Sequence, residues 1–129
     1  MKISDKDKQV LEHIVKYCDE IKEAHEIFDY NKQLFMDTST YRNACSMPIM
    51  QIGELVKKLS TEYINADRNM PWKAIKGMRD IFAHDYHAMN KEMIWETSVN
   101  DIPALAKHVT NVLTNGKNDR ASLNNVFTR

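Results

Sequence analysis

The spacing of apolar residues in two long stretches is the feature that most restricts how this chain can fold. Between residues 10 and 28, and again between residues 41 and 63, apolar side chains recur at steps of three and four. That spacing places them on one stripe of an α-helix, which turns about once every 3.6 residues. The stripes comprise Val10, Ile14, Tyr17, Cys18, Ile21, His25 and Phe28, and then Tyr41, Cys45, Pro48, Ile52, Leu55, Leu59 and Tyr63.

The composition agrees with an all-α fold, because 3 Gly and 3 Pro among 129 residues are too few for many tight turns. We predict an up-and-down bundle of four to five helices in one domain, residues 1–113, followed by a polar tail, residues 114–129. The tail is interpreted as loose or as a segment that docks a partner. Gly53 is unusual inside a helix, where glycine costs about 1 kcal/mol relative to alanine. Close approach of a second backbone and a neutral accident both account for it.

The helix boundaries can be predicted from capping residues and prolines. Ser4 is a suitable N-cap for the first helix, which a loop near residues 29–39 separates from the second. A third helix is predicted to open at Pro71, where proline suits a first turn. A fourth is predicted near residues 90–99 and a fifth from Asp101.

Charge and cysteine content limit the class of partner and the compartment. The 18 Lys and Arg balance the 18 Asp and Glu, so no global charge attracts nucleic acid or an anionic membrane. One modest basic region, residues 57–79, holds four Lys and two Arg against two acidic residues. Cys18 and Cys45 lack CxxC spacing and fall on apolar stripes, which favours buried, reduced thiols. No apolar run approaches about 18 residues, and we predict a cytoplasmic protein with no membrane segment.

A polar cluster, MRDIFAHDYH, occupies residues 78–87 of the predicted third helix. It is either an ordinary solvated helix face or a reaction centre. Asp80 and His84 are four residues apart, so they are predicted to form a hydrogen bond that orients the imidazole. Arg79 and His84 lie about 140° apart around an ideal helix. They can therefore share a site only if the helix ends or distorts near His84, or if two copies of the chain meet across a twofold axis.

Arg79 and His84 are residue types suited to phosphate chemistry. A guanidinium can clamp a phosphoryl group with two hydrogen bonds, and an imidazole with a free pKa of about 6.5 moves protons near neutral pH. His87 lies three residues after His84, but no further paired ligands follow, so no metal site is predicted. The surface cations Lys73, Lys76 and Arg68 are interpreted as solvated side chains that could guide a polyanion toward this stretch.

The pattern RxxxxHxY, formed by Arg79, His84 and Tyr86, resembles the signature of HepT toxins in the HEPN superfamily (higher eukaryote and prokaryote nucleotide-binding domains). The stretches PWKAIKGMRDIFAHDY and MIWETSVNDIPAL are similar to the corresponding stretches of the family, in the same order. Upstream, IGEL at residues 52–55 is similar to the family's IGE element. The resemblance extends over residues 40–110.

This resemblance implies a homodimeric, metal-independent endoribonuclease that acts as the toxin of a type VII toxin–antitoxin pair. Arg79 and His84 match the catalytic pair, Asp80 matches the polar position after the arginine, and the ribose 2′-hydroxyl of RNA would be the nucleophile. The implied antitoxin is a minimal nucleotidyltransferase that transfers AMP from ATP to Tyr86. ATP would thus be used by the partner, and the chain itself would need no cofactor.

Three simpler interpretations stay open. His25 lies inside the first apolar stripe, where a packed core histidine is expected. The domain as a whole could be a nonenzymatic helical dimer that binds a nucleotide or a partner, with Arg79 and His84 gripping a phosphate that they never cleave. It could also be a scaffold subunit of a nucleotidyltransferase complex, with Tyr86 in a structural role.

Overall fold

The computed structural model describes residues 2–115 and 126–127, and all regular secondary structure in these residues is helical. The predicted all-α fold is confirmed. The α-helices are α1 Asp5–Ile27, α2 Lys32–Asp37, α3 Ser39–Val56, α4 Thr61–Ala66, α5 Trp72–Asp85, α6 Lys91–Glu96 and α7 Ile102–Asn115. A 3₁₀ turn at Tyr86–Ala88 follows α5, and a π-helical segment at Thr97–Asp101 joins α6 to α7.

The bundle is organised around α1 and α3. Helix α3 packs against both α1 and α5, and α1 also packs against α7. The apolar stripes predicted from the sequence form the centre of the core, where most of their side chains are almost fully removed from water, while Tyr17, Phe28 and Leu55 are partly buried at its edge. The central residues include Leu11, Ile14, Ile21, Tyr41, Cys45, Ile49, Ile52, Ile75, Leu105 and Val109.

The start of α1 is capped as predicted and is also fixed to the start of α4. Ser4 Oγ accepts a hydrogen bond from the Asp7 backbone N–H at 3.1 Å. The buried Asp7 carboxylate accepts three hydrogen bonds, from the Ser60 backbone N–H at 2.8 Å, from Ser60 Oγ at 2.6 Å and from Ser4 Oγ at 3.1 Å. Burial by itself raises the pKa of Asp7, but the hydrogen bonds from Ser60 and Ser4 outweigh it and hold that pKa below its ordinary value.

Helices α3 and α5 approach each other closely at Gly53. A Cβ built on Gly53 would lie 2.9 Å from both the Cβ and the backbone N of Arg79, and 3.1 Å from the Ile75 carbonyl oxygen. These distances are too short for any side chain. Of the two explanations for this glycine, close backbone approach is therefore the correct one.

Several predicted boundaries differ from the structure. The predicted loop at residues 29–39 contains α2. The second stripe is divided between α3 and α4, because the chain turns after Val56 and Ser60 caps a new helix by accepting the Tyr63 N–H at 3.1 Å. The predicted fourth and fifth helices form one continuous helical stretch, because the Ile102 N–H reaches back five residues to the Thr97 carbonyl and keeps the chain helical.

The predicted polar tail, residues 114–129, lies outside the described residues except at 114–115 and 126–127. The Phe127 backbone N–H donates to Asp101 Oδ2 at 3.2 Å, and the Phe127 side chain packs partly buried against the core. The division of the chain at residue 113 stays a prediction. In the part of the chain that the structure describes, no helix combines the length and the apolar character needed to cross a membrane.

Candidate active site

A cavity of about 440 Å³ lies between α3 and the C-terminal end of α5. Three of the predicted site residues, Arg79, His84 and Tyr86, line it together, whereas Asp80 does not. The α3 wall carries two polar and two methionine side chains, and the wall formed by α5 and the turn after it carries a guanidinium and two imidazoles. The full lining is Asn43, Ser46, Met47, Met50, Arg79, Phe82, Ala83, His84, Tyr86 and His87.

Arg79 and His84 line the same cavity, and both lie within α5. Arg79 lies in the middle of α5 and His84 in its last turn, and the α-helix ends one residue later, at Asp85. From Tyr86 the chain tightens into the 3₁₀ turn. This corresponds to the first of the two predicted arrangements, a helix that ends near His84, within a single chain. The arrangement with two copies of the chain stays a prediction.

The Arg79 guanidinium lies among carboxylates. Arg79 Nε is 3.1 Å from Glu54 Oε2, and Arg79 Nη1 donates to Asp80 Oδ1 at 3.2 Å. Lys57 joins the same group, with its Nζ 3.3 Å from Glu54 Oε2 and 3.8 Å from Asp80 Oδ1. The Arg79 side chain is 36% exposed, so these contacts orient the guanidinium while leaving it open to an anion.

The predicted hydrogen bond between Asp80 and His84 is not present among the described residues. Asp80 turns instead toward Arg79 and Lys57, two permanent cations that attract its carboxylate. Glu54, which the sequence interpretation missed as a site residue, contacts Arg79. The sequence feature that could have identified Glu54 is the IGE element. Gly53 lets α3 approach α5, and Glu54, the next residue, then contacts Arg79.

Tyr86 is held by α3. Its hydroxyl donates to Asn43 Oδ1 at 2.5 Å, and its ring stacks on Phe82 with centroids 6.2 Å apart. Sequence reasoning did not single out Asn43. The signal that could have found it is a second stripe on α3, one that begins at Asn43 and continues through Met47, Met50 and Glu54 at steps of three and four.

His25 is a core histidine, as expected, and its tautomer follows from its partners. Ser98 Oγ donates its single proton to the Trp95 carbonyl at 2.8 Å, so it must accept at 2.9 Å from His25 Nε2. Nδ1 is then the acceptor for the Tyr41 hydroxyl at 2.5 Å. Burial lowers the pKa of His25 to about 4, so the ring is neutral near neutral pH.

The surroundings of the two cysteines and of the histidine pair at residues 84 and 87 can also be compared with the sequence predictions. Cys18 and Cys45 are buried free thiols, as predicted, and burial raises the pKa of both to about 12. Within residues 2–115 and 126–127, no three His, Cys, Asp or Glu side chains are grouped so that they could hold a metal ion. His84 and His87 both line the cavity, but among the described residues no third His, Cys, Asp or Glu side chain joins them to form a metal site.

Comparison with known proteins assigns the family. The family model described as "Ribonuclease HepT-like" matches residues 16–112. The chain belongs to the ribonuclease HepT-like family. The family predicted from the RxxxxHxY motif is thereby confirmed, and so are the HEPN-like helical bundle and the predicted enzyme class, an endoribonuclease.

Curated relatives of this HepT-like chain carry matching names. A protein of Caldanaerobacter subterraneus named "Putative RNase TTE0752" is 35% identical over 107 residues, which cover 83% of this chain and 94% of the relative. "Putative RNase MJ0127" of Methanocaldococcus jannaschii is 27% identical, with 74% and 82% covered. "Probable ribonuclease HepT" of Thermococcus cleftensis is 26% identical, with 69% and 86% covered. No solved structure matches the chain.

Proposed function

We propose that this HepT-like protein cleaves RNA without a metal ion, using Arg79 and His84 as its catalytic residues. The observation that carries the proposal is that both side chains line one open cavity, although five positions on α5 separate them. An exposed guanidinium and an exposed imidazole on a partly apolar cavity can bind a phosphodiester and move a proton beside it. Asp80 supports the site by orienting Arg79 through their 3.2 Å hydrogen bond.

In the proposed reaction the RNA supplies its own nucleophile. The ribose 2′-oxygen attacks the adjacent phosphorus, the bond from phosphorus to the 5′-oxygen breaks, and the products are a 2′,3′-cyclic phosphate and a 5′-hydroxyl. His84 accepts the 2′-hydroxyl proton or donates a proton to the leaving 5′-oxygen, and Arg79 stabilises the charge that grows on the phosphoryl oxygens. In a homodimer, two copies of His84 could divide the acid and base roles.

We further propose that the active form is a cytoplasmic homodimer. Met47, at the cavity, is 52% exposed, and Ile81, on α5, is 49% exposed. Apolar side chains exposed to this degree beside a charged site favour burial against a second subunit. Sedimentation equilibrium of the purified protein tests this, and a monomer at assay concentration would remove the second chain from the mechanism.

The cellular role that we propose is that of a toxin, neutralised when a minimal nucleotidyltransferase antitoxin transfers AMP from ATP to Tyr86. The Tyr86 hydroxyl lies on the same cavity as Arg79 and His84. AMP attached there would place bulk and negative charge where an RNA phosphate must bind. ATP is a substrate of the partner in this scheme.

The nuclease proposal is tested by cleavage of a structured RNA in EDTA. Arg79→Ala and His84→Ala should each lower the rate constant by about 10²- to 10⁴-fold. Lys8→Ala, at an exposed lysine on α1, is the control and should stay close to wild type. Undiminished cleavage in both site variants would reject the proposal. A folded wild-type protein that cleaves no RNA would instead favour the nonenzymatic nucleotide- or partner-binding subunit.

Intact mass spectrometry tests the acceptor role of Tyr86. After incubation with the partner nucleotidyltransferase and ATP, wild-type protein should gain the mass of AMP and lose its ribonuclease activity. Tyr86→Phe should gain nothing. Tyr30→Phe, at a tyrosine that is 47% exposed, is the control and should be modified normally. A persistent adduct on Tyr86→Phe would assign the acceptor elsewhere.

A further inference from the structure

The turn that follows α5 is connected to α3 by a long-range hydrogen bond. The Tyr86 hydroxyl donates to Asn43 Oδ1 at 2.5 Å, and the two residues are 43 positions apart in the sequence. Tyr86 is the first residue of the 3₁₀ turn, immediately after the end of α5. The bond therefore ties the segment that carries His84 and His87 to the opposite wall of the cavity.

The histidines themselves do little to hold this segment in place. His84 and His87 are both exposed, and within the described residues neither side chain forms a hydrogen bond, although the His87 ring lies 5.7 Å from the Tyr86 ring. Tyr86, by contrast, stacks on Phe82 and donates to Asn43. Tyr86 thus makes the side-chain contacts that fix the turn immediately after His84.

We propose that Asn43 is a positioning residue of the site. By accepting the Tyr86 hydroxyl, it holds the turn after α5 against α3 and keeps His84 in the cavity beside Arg79. The inference rests on the proposed function in treating His84 as the group that moves the proton. Asn43 itself acts through Tyr86 and takes no part in the reaction.

The hydrogen bond between Tyr86 and Asn43 gives the proposed transfer of AMP to Tyr86 a second effect. When Tyr86 Oη attacks the α-phosphorus of ATP, an Oη–P bond forms, the bond to pyrophosphate breaks, and the phenolic proton leaves to solvent. The resulting ester oxygen has no proton to donate, so the hydrogen bond to Asn43 must end. Modification therefore releases the turn that carries His84 in addition to filling the cavity.

Hydrogen exchange of the unmodified protein tests the anchor without any RNA. In Asn43→Ala and Tyr86→Phe, amides of residues 84–89 should exchange about twofold faster than in wild type, because one hydrogen bond that is partly open to water is lost. Asn43→Asp keeps an acceptor oxygen and should restore slow exchange. Asn65→Ala, at an exposed asparagine on α4, is the matched control. Equal exchange in Asn43→Ala and Asn65→Ala would overturn the proposal.

RNA cleavage then separates positioning from direct contact. Asn43→Ala should lower kcat about tenfold or more with little change in KM, since a misplaced imidazole affects the transition state. Asn43→Asp should recover kcat but raise KM, because its charge repels RNA. In a Tyr86→Phe background, Asn43→Ala should have no further effect. Additive losses in the double variant would show that Asn43 does not act through Tyr86.

The two experiments fail independently of each other. Wild-type protein that cleaves no RNA rejects the proposed function, while the exchange data still decide whether the anchor exists. Normal cleavage with unchanged exchange in Asn43→Ala rejects the anchor alone. Protein carrying AMP on Tyr86 should exchange at residues 84–89 as fast as Tyr86→Phe, and wild-type exchange rates in the modified protein would contradict the release of the turn.

Discussion

His25 and His84 have opposite surroundings within the same helical bundle. His25 is 1% exposed, donates to Ser98, accepts from Tyr41 and stacks on Tyr30 with centroids 4.9 Å apart. His84 is exposed, lines an open cavity and forms no hydrogen bond within the described part of the chain. Each lies near a tyrosine, but Tyr41 donates to its histidine, whereas Tyr86 donates to Asn43.

This comparison shows what separates a structural histidine from a candidate catalytic one. Both nitrogens of His25 are committed, and burial keeps the ring neutral, so it has no means of exchanging protons with a ligand. His84 keeps its nitrogens available beside an exposed guanidinium. Two side-chain hydrogen bonds thus hold His25 in the fold. His84 forms none within the described residues, so its ring nitrogens are available to exchange protons with a ligand.

Replacement of each histidine by alanine should give the largest contrast. His25→Ala leaves a cavity, removes the acceptor of the Tyr41 hydroxyl and removes the donor to Ser98 Oγ, so the free energy of unfolding should fall by about 3–4 kcal/mol. His84→Ala should change it by no more than about 0.5 kcal/mol, as for other surface substitutions. Urea denaturation measures both. A larger loss of stability in His84→Ala would mean that His84 has a structural role.

Acid should destabilise the protein through His25. Its pKa is about 4 in the folded state and about 6.5 when unfolded, so between these values only the unfolded chain binds the proton. The free energy of unfolding should therefore fall as pH decreases from 6.5 to 4, by up to about 3 kcal/mol. Denaturation of wild type and His25→Gln across this range measures the difference in slope. Parallel curves would refute a neutral buried His25.

Alanine substitutions at Gly53 and Gly77 test whether close packing between helices is confined to the contact of α3 with α5 at Gly53. Gly53→Ala forces a Cβ against the Arg79 backbone at 2.9 Å, so unfolding free energy should fall by about 1–2 kcal/mol and cleavage should weaken. Gly77→Ala on α5 meets nothing within 4 Å and should stabilise the protein by about 0.5–1 kcal/mol. Thermal denaturation and RNA cleavage report both effects. A stabilised, fully active Gly53→Ala would show that α3 and α5 can separate freely.

Two tyrosine substitutions should give the smallest contrast. Tyr41→Phe leaves buried Nδ1 of His25 without a donor and should cost about 1–2 kcal/mol of unfolding free energy. Tyr86→Phe breaks a partly exposed bond to Asn43 and should cost about 0.5 kcal/mol or less, because water can replace the lost partner. Equal losses, measured by urea denaturation, would remove the distinction between the two tyrosines.

The parts of the structure that follow from local sequence were predictable. Apolar periodicity identified the helices and placed Ile14, Ile21 and Ile52 in the core, and Ser4 was recognised as a cap by residue type. The motif placed Arg79 and His84 together before any geometry was known. The buried stripes and the cap depend on residues within a few positions of one another, where helix geometry fixes the distances, whereas the pairing of Arg79 with His84 came from the family resemblance.

The parts that depend on contacts between helices were not predictable. Glu54 beside Arg79, and Asn43 beside Tyr86, come from the way α3 lies against α5. Asp80 was paired with His84 on helix spacing, yet it turns toward Lys57, which α3 supplies. The break after Val56 was missed because the apolar spacing continues through it, although the backbone does not remain helical.

The sequence by itself determined that this chain is helical, which side chains are buried, and that an arginine, a histidine and a tyrosine share one motif. Each of these follows from hydrophobic periodicity or from neighbours along one helix. Only the tertiary structure decided which groups meet across helices: Glu54 with Arg79 and Asn43 with Tyr86. The physical reason is that contacts between distant residues depend on how helices pack, and Gly53 sets that packing by allowing α3 and α5 to approach.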